Sequence, residues 1–99
     1  MKKITTEKHK RVREIILRLL QKEYPHAVDS VVLRYAIDSL GYPLLEKEFD
    51  GHIEYLKEKG YIKKEVKGHS NMKIVLLSIS AKGIDLLDGI ESERGVWEE

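Results

Sequence analysis

Apolar residues recur at helical spacing as far as Gly60, where the period changes from 3.6 to 2 before a short last helix. The clearest helical stretch is 44–62, LLEKEFDGHIEYLKEKGYI, in which Phe49, Ile53 and Leu56 stack at i, i+4 and i+7 on one face. Lys57, Glu58 and Lys59 close its last turn, and Gly60 stands where a left-handed residue ends a helix. Its opposite face carries Glu46, Lys47, Asp50, Gly51 and Glu54, which a small binding module would show its partner.

Two helices are predicted upstream. Over 7–24, Val12, Ile15, Ile16, Leu19 and Leu20 form a broad apolar stripe, with Thr5 or Thr6 available as N-cap and Pro25 as the stop. From an Asp29 or Ser30 cap to Leu40, the spacing turns Leu33, Ala36, Ile37 and Leu40 inward, and Gly41 terminates the helix. Tyr42 and Pro43 then make a tight corner, so the second and third helices read as a helix-turn-helix. Ala27 and Val28, between the first two helices, are placed to add a small third strand to a nearby sheet.

Downstream of Gly60, 61–66 sets Ile62 and Val66 against Lys63 and Glu65, with Lys64 the exception on the apolar side. Over 73–80, Val75, Leu77 and Ile79 share one face, and Ile74 and Leu76 the other. The polar, turn-rich 67–72 between them predicts a hairpin with a longer loop. Ser80 caps a short last helix over 81–88, with Ile84 and Leu87 inward and Gly89 as its end. The fold class is therefore α+β and mostly helical, with a domain over 1–89 and an acidic C-terminal tail over 90–99.

Composition narrows the function. Ninety-nine residues make one domain, and no apolar run approaches the ~20 residues that span a bilayer. There are no cysteines, which removes disulfides and thiolate chemistry and fits a cytoplasmic protein. Net charge is +1 but uneven: 1–13 holds six Lys or Arg against one Glu, and 84–99 holds six Asp or Glu against one Arg. Such a division suits a nucleic-acid face at one end and a partner face at the other, or simply solvated termini.

The order helix, short strand, helix, helix, hairpin, helix is that of the winged helix, and the resemblance extends to particular residues. Leu56, Gly60, Tyr61 and Ile62 in LKEKGYI resemble the junction at which the third helix of winged-helix regulators enters the hairpin. LSISAKGIDLL, 77–87, resembles the entry into their final helix. Gly89 and the Gly95-Val96 pair are also similar to a small winged-helix family of Mu-like prophages. The resemblance implies a three-helix helix-turn-helix core, a two- to three-stranded antiparallel wing and a C-terminal helix. It implies a transcriptional regulator that binds double-stranded DNA as a homodimer.

Carried over by position, the third helix would offer bases Lys47, Asp50, Gly51 and Glu54, and the wing would comprise Lys63, Lys64, Lys67, His69, Ser70, Asn71 and Lys73. Lys8, Lys10 and Arg11 on the first helix and Arg34 on the second would reach the DNA backbone. The wing suits phosphate contact, since 61–73 has four lysines against one glutamate. The third helix departs from the usual pattern: 44–59 has five acidic residues, three lysines and no arginine, the residue that most often reads guanine. An acidic third helix fits the alternative of a protein-contact module, a phage or assembly factor, facing a basic partner.

No other chemistry is evident. His9, His26, His52 and His69 lack metal-ligand spacing, and each reads as a surface histidine. No phosphate loop or nucleophile motif occurs, so neither catalysis nor a cofactor is expected. Tyr55 and Tyr61 at the helix-to-strand junction read as core-rim packing, and Trp97 in the acidic tail should dock on the domain or on a second subunit. The tail is also the place for a protein partner.

Overall fold

The computed structural model describes the backbone of residues 2–97 and the side chains of 6–91. Its elements run α1 (Lys2–Lys22), β1 (Val28–Asp29), α2 (Ser30–Ser39), α3 (Glu46–Glu58), β2 (Ile62–Lys67), β3 (Ile74–Ile79) and α4 (Ala81–Trp97). The three strands form one antiparallel sheet in the order β1-β3-β2, so Val28 does extend the hairpin to a third strand, opposite Leu77.

α1 is the hub, packed against α2, α3, α4 and β3. A helix surrounded in this way buries more than one stripe: Val12, Ile15, Ile16 and Leu20 are buried as the spacing predicts, and Leu17 is buried as well. Leu33 and Ile37 of α2, Phe49, Ile53 and Leu56 of α3, Ile62, Leu77 and Ile79 of the sheet, and Leu87 of α4 complete the same core. At about 25 cal/mol per Å² of apolar surface, each fully buried Leu or Ile stabilises the fold by roughly 1.5–3 kcal/mol before chain entropy is set against it.

The helix boundaries follow local chemistry. Asp29 is the N-cap of α2, its Oδ1 accepting from the Val31 amide at 2.8 Å. Gly41 ends that helix at φ +95°, a conformation costly for any residue with a Cβ. At α3 the Leu45 amide donates to the Glu48 carboxylate at 2.9 Å, and Glu46 lies beside it in the first turn. Two of the acidic residues of α3 therefore sit where the positive end of the helix dipole favours them.

Four expectations are corrected. α1 begins at Lys2, so neither Thr5 nor Thr6 is its cap. Leu40 points outward, because it occupies the C-cap position where the chain leaves the helix. Val66 is 55% exposed, because the inner face of β2 overhangs the core at its distal end. α4 does not stop at Gly89 but continues to Trp97, with Ile90 half-buried and Glu91 paired to Arg18 of α1. The contacts expected of Trp97 lie outside the described side chains.

Candidate nucleic-acid interface

The helix-turn-helix and the hairpin are fastened to each other where α3 runs into β2. Gly60 leaves α3 at φ +82°, and Tyr61 turns at once into β2. Ser80 closes the other end of the hairpin: its amide donates to the Tyr61 carbonyl at 3.0 Å, and its hydroxyl donates to the Gly60 carbonyl at 2.6 Å. The same hydroxyl oxygen accepts from the Gly83 amide at 3.1 Å, which caps α4. Gly83 is buried against this turn, and a Cβ there would collide with the Tyr61 carbonyl oxygen and the Ile79 side chain. The hairpin is thus held at a fixed angle to α3.

That angle opens a groove of about 500 Å³ between α3 and the wing. Asp50 and Glu54 line one wall with Glu46, Lys64 and Lys73 line the other with Ile74 and Val75, and the α2 N-terminus closes one end. Of the four α3 positions expected to face bases, Lys47, Asp50 and Gly51 are exposed and Glu54 is partly exposed, all on the side away from the buried Phe49–Ile53–Leu56 seam.

The lysines of the wing are not equivalent. Lys64 lies on the inner face of β2, opposite Leu77, and its Nζ reaches the Glu54 carboxylate at 2.9 Å, which accounts for a cation on the apolar side. The hydrogen bond from Lys64, its charge and then that of Lys57 hold the Glu54 carboxyl below the usual glutamate range. Lys67 pairs with Glu65 at 3.2 Å, an exposed contact of little strength. Lys63 and Lys73 are exposed and, among the described residues, make no ion pair. His69, Ser70 and Asn71 are exposed in the turn, where Gly68 and Ser70 take positive φ.

The cations expected on the first two helices divide likewise. Lys8 and Lys10 are exposed, Arg11 is shared with Glu14 at 3.5 Å, and Arg34 donates from Nε to the Leu44 carbonyl at 3.3 Å. Arg34 therefore braces the corner between α2 and α3.

His52 corrects the sequence reading most. It is 6% exposed and not a surface residue. Its spacing carried the signal: it falls at i+3 from Phe49 and i−4 from Leu56, which completes the buried stripe. Arg13 of α1 donates from Nε to His52 Nδ1 at 3.2 Å, the His9 ring meets it edge-on at 5.2 Å, and the Arg13 guanidinium lies 3.8 Å from the centre of the Tyr55 ring. Burial, then the charges of Arg13 and His9, push the His52 pKa down to about 4, with Glu48 opposing. The imidazole is a neutral acceptor that locks α3 onto α1. Tyr55 is thus a rim residue held by a cation, and Tyr61 packs on the core edge near Lys82.

Among the described residues no cluster of side chains is arranged to hold a metal ion, and no helix is long and apolar enough to cross a membrane. No family model matches the sequence, and no curated protein matches it. Solved structures do match the fold. A PadR-like transcription factor from Bacteroides fragilis superposes with a TM-score of 0.83 at 11% identity, over 99% of this chain and 93% of that one. A PadR family transcription regulator from Clostridium difficile gives 0.72 at 15% identity, over 88% and 90%. A PadR family transcriptional regulator from Eggerthella lenta gives 0.67 at 13% identity, over 97% and 87%. Identities this low speak for architecture alone, and the architecture is the winged helix.

Proposed function

We propose that this protein is a winged-helix regulator of transcription that binds duplex DNA through α3 and the wing. The observation that carries the proposal is the groove itself: the exposed edge of α3 and a projecting, lysine-bearing hairpin flank one concave surface at an angle fixed by Ser80 and Gly60. Lys63 and Lys73, unpaired among the described residues, would meet phosphates first, with Lys47 on α3 and Lys8 and Lys10 on α1 as further contacts. The superposable proteins named as transcription regulators support the same reading. Regulators of this shape act on paired half-sites about one helical turn apart, so the working form would be a homodimer in the cytoplasm.

The acidity of α3 favours a second reading. Glu54 occupies Lys64, and Asp50 stands beside it on the groove wall, as a surface facing a basic protein would have it. An assembly factor related to the Mu-like prophage family, with a further partner at the acidic tail, belongs to this alternative.

Titration of labelled duplex DNA by fluorescence anisotropy over a range of salt concentrations separates the two. DNA binding predicts that log K falls linearly with log salt, by about 0.9 per phosphate engaged. Replacing Lys63 and Lys73 together with alanine should weaken all sequences alike and reduce that slope by about 2. No binding at low ionic strength would remove the DNA reading and leave the protein-contact one.

A further inference from the structure

The distal end of the wing has an unusual composition. Val66, Met72 and Ile74 are 55%, 77% and 46% exposed at the distal end of the hairpin: Met72 stands in the turn, Val66 on the inner face of the ribbon, and Ile74, paired with Lys67, on the outer one. Lys67 and Lys73 flank them, and Lys63 lies further back on the same ribbon. The turn that presents Met72 is tightly built. Gly68 adopts φ +103°, where a Cβ would collide with the Met72 carbonyl, Ser70 takes φ +46°, and the Met72 amide donates to the His69 carbonyl at 2.8 Å. The chain accepts two left-handed residues in this turn while leaving a thioether in water.

An apolar point inside a cationic collar matches a target that is anionic outside and apolar within. Stacked base pairs behind a phosphate rail are such a target, and methionine is among the side chains that proteins insert between base steps. The groove between α3 and the wing sets the tip beside whatever α3 engages.

We propose that Met72 is an apolar wedge which enters the minor groove next to the α3 site, unstacks one base step and bends the duplex. This deepens the DNA-binding reading and rests on it. Lys67 and Lys73 would hold the flanking phosphates on either side of the opened step. Flexible pyrimidine–purine steps, TA above all, would be the favoured points of entry, giving sequence preference without hydrogen bonds to bases.

The test uses the full chain and a short duplex of alternating thymine and adenine, with 2-aminopurine in place of some adenines and a dye pair at its ends. Binding should raise 2-aminopurine fluorescence and shorten the end-to-end distance, as a bend of roughly 20–90° requires. Met72→Ala should abolish both signals and weaken binding about tenfold while leaving the salt slope unchanged, since no phosphate contact is lost. Met72→Leu should restore both. Binding without unstacking, or an alanine variant that unstacks as well as the parent, would overturn the wedge and leave DNA binding intact. No binding to the duplex at low salt would overturn the wedge and the DNA reading together. Phosphatidylserine vesicles provide the last arm: Met72-dependent binding to them, with the duplex left stacked, would overturn the wedge and assign the tip to anionic membranes.

Discussion

The hydroxyl of Ser80 donates to the carbonyl oxygen of Gly60 at 2.6 Å, joining the C-terminal end of α3 to the N-terminal end of α4 across the base of the hairpin. One side chain thus satisfies the carbonyl of the residue that leaves α3, caps another helix through Gly83, and sets the angle of the wing.

Ser80→Ala should therefore cost more than an ordinary cap, about 2 kcal/mol, the upper end of the range for such substitutions. Gly83→Ala should cost at least as much, roughly 2–3 kcal/mol, because the added methyl meets a backbone carbonyl and a buried isoleucine. Urea denaturation checks both. A loss below about 0.5 kcal/mol for either would mean that the junction relaxes freely.

Stability should fall on acidification through His52. Its folded pKa, about 4, lies below that of an unfolded histidine near 6.5, so the unfolded chain binds the extra proton in that interval. The contribution is complete above pH 6.5, declines as the pH falls towards 4, and amounts to about 3 kcal/mol at 1.36 kcal/mol per pKa unit. His52→Gln keeps an acceptor for Arg13 but cannot titrate. Its unfolding free energy should vary less between pH 6.5 and 4 than the parent's, by most of that amount.

Under the proposed function, removing the carboxylate of Glu54 should strengthen binding to duplex DNA. Glu54→Ala releases Lys64 and takes one negative charge off the groove wall, so affinity for random duplex should rise about three- to tenfold and the salt slope steepen by about 1. Asp50→Ala, which frees no lysine, should raise affinity less. Weaker binding by the Glu54 variant would mean that its carboxylate aims Lys64, or that α3 faces a protein.

Arg13→Lys tests the clamp between α1 and α3. Lysine keeps the charge but loses the planar stack on Tyr55 and the Nε donor to His52, so a loss of roughly 1–2 kcal/mol is expected, measured by thermal melting.

Signals held within a few neighbouring residues were legible in the sequence. Asp29 as a cap, Gly41 and Gly60 as left-handed stops, and the Phe49–Ile53–Leu56 seam each follow from a short stretch and recur in the structure as read. What depends on a neighbouring element was not. Leu17 is buried only because α1 is enclosed by four others. Gly89 does not end α4, because packing of Ile90 and the Arg18–Glu91 pair offset the ~1 kcal/mol that a mid-helix glycine costs. In the candidate site, exposure of the α3 edge and of the wing lysines was readable from periodicity. Which lysines are already engaged was not, since the Glu54–Lys64 pair joins a helix to a strand.

The strand order carries a consequence for handling the protein. β3 is central, β1 is two residues long, and β2, six residues long, is paired on one side only among the described residues. Along its other side Lys63, Lys64 and Lys67 deter another chain from adding itself by main-chain pairing. Variants stripped of these charges would lose their guard against self-association, and light scattering should show them forming larger assemblies than the parent chain does.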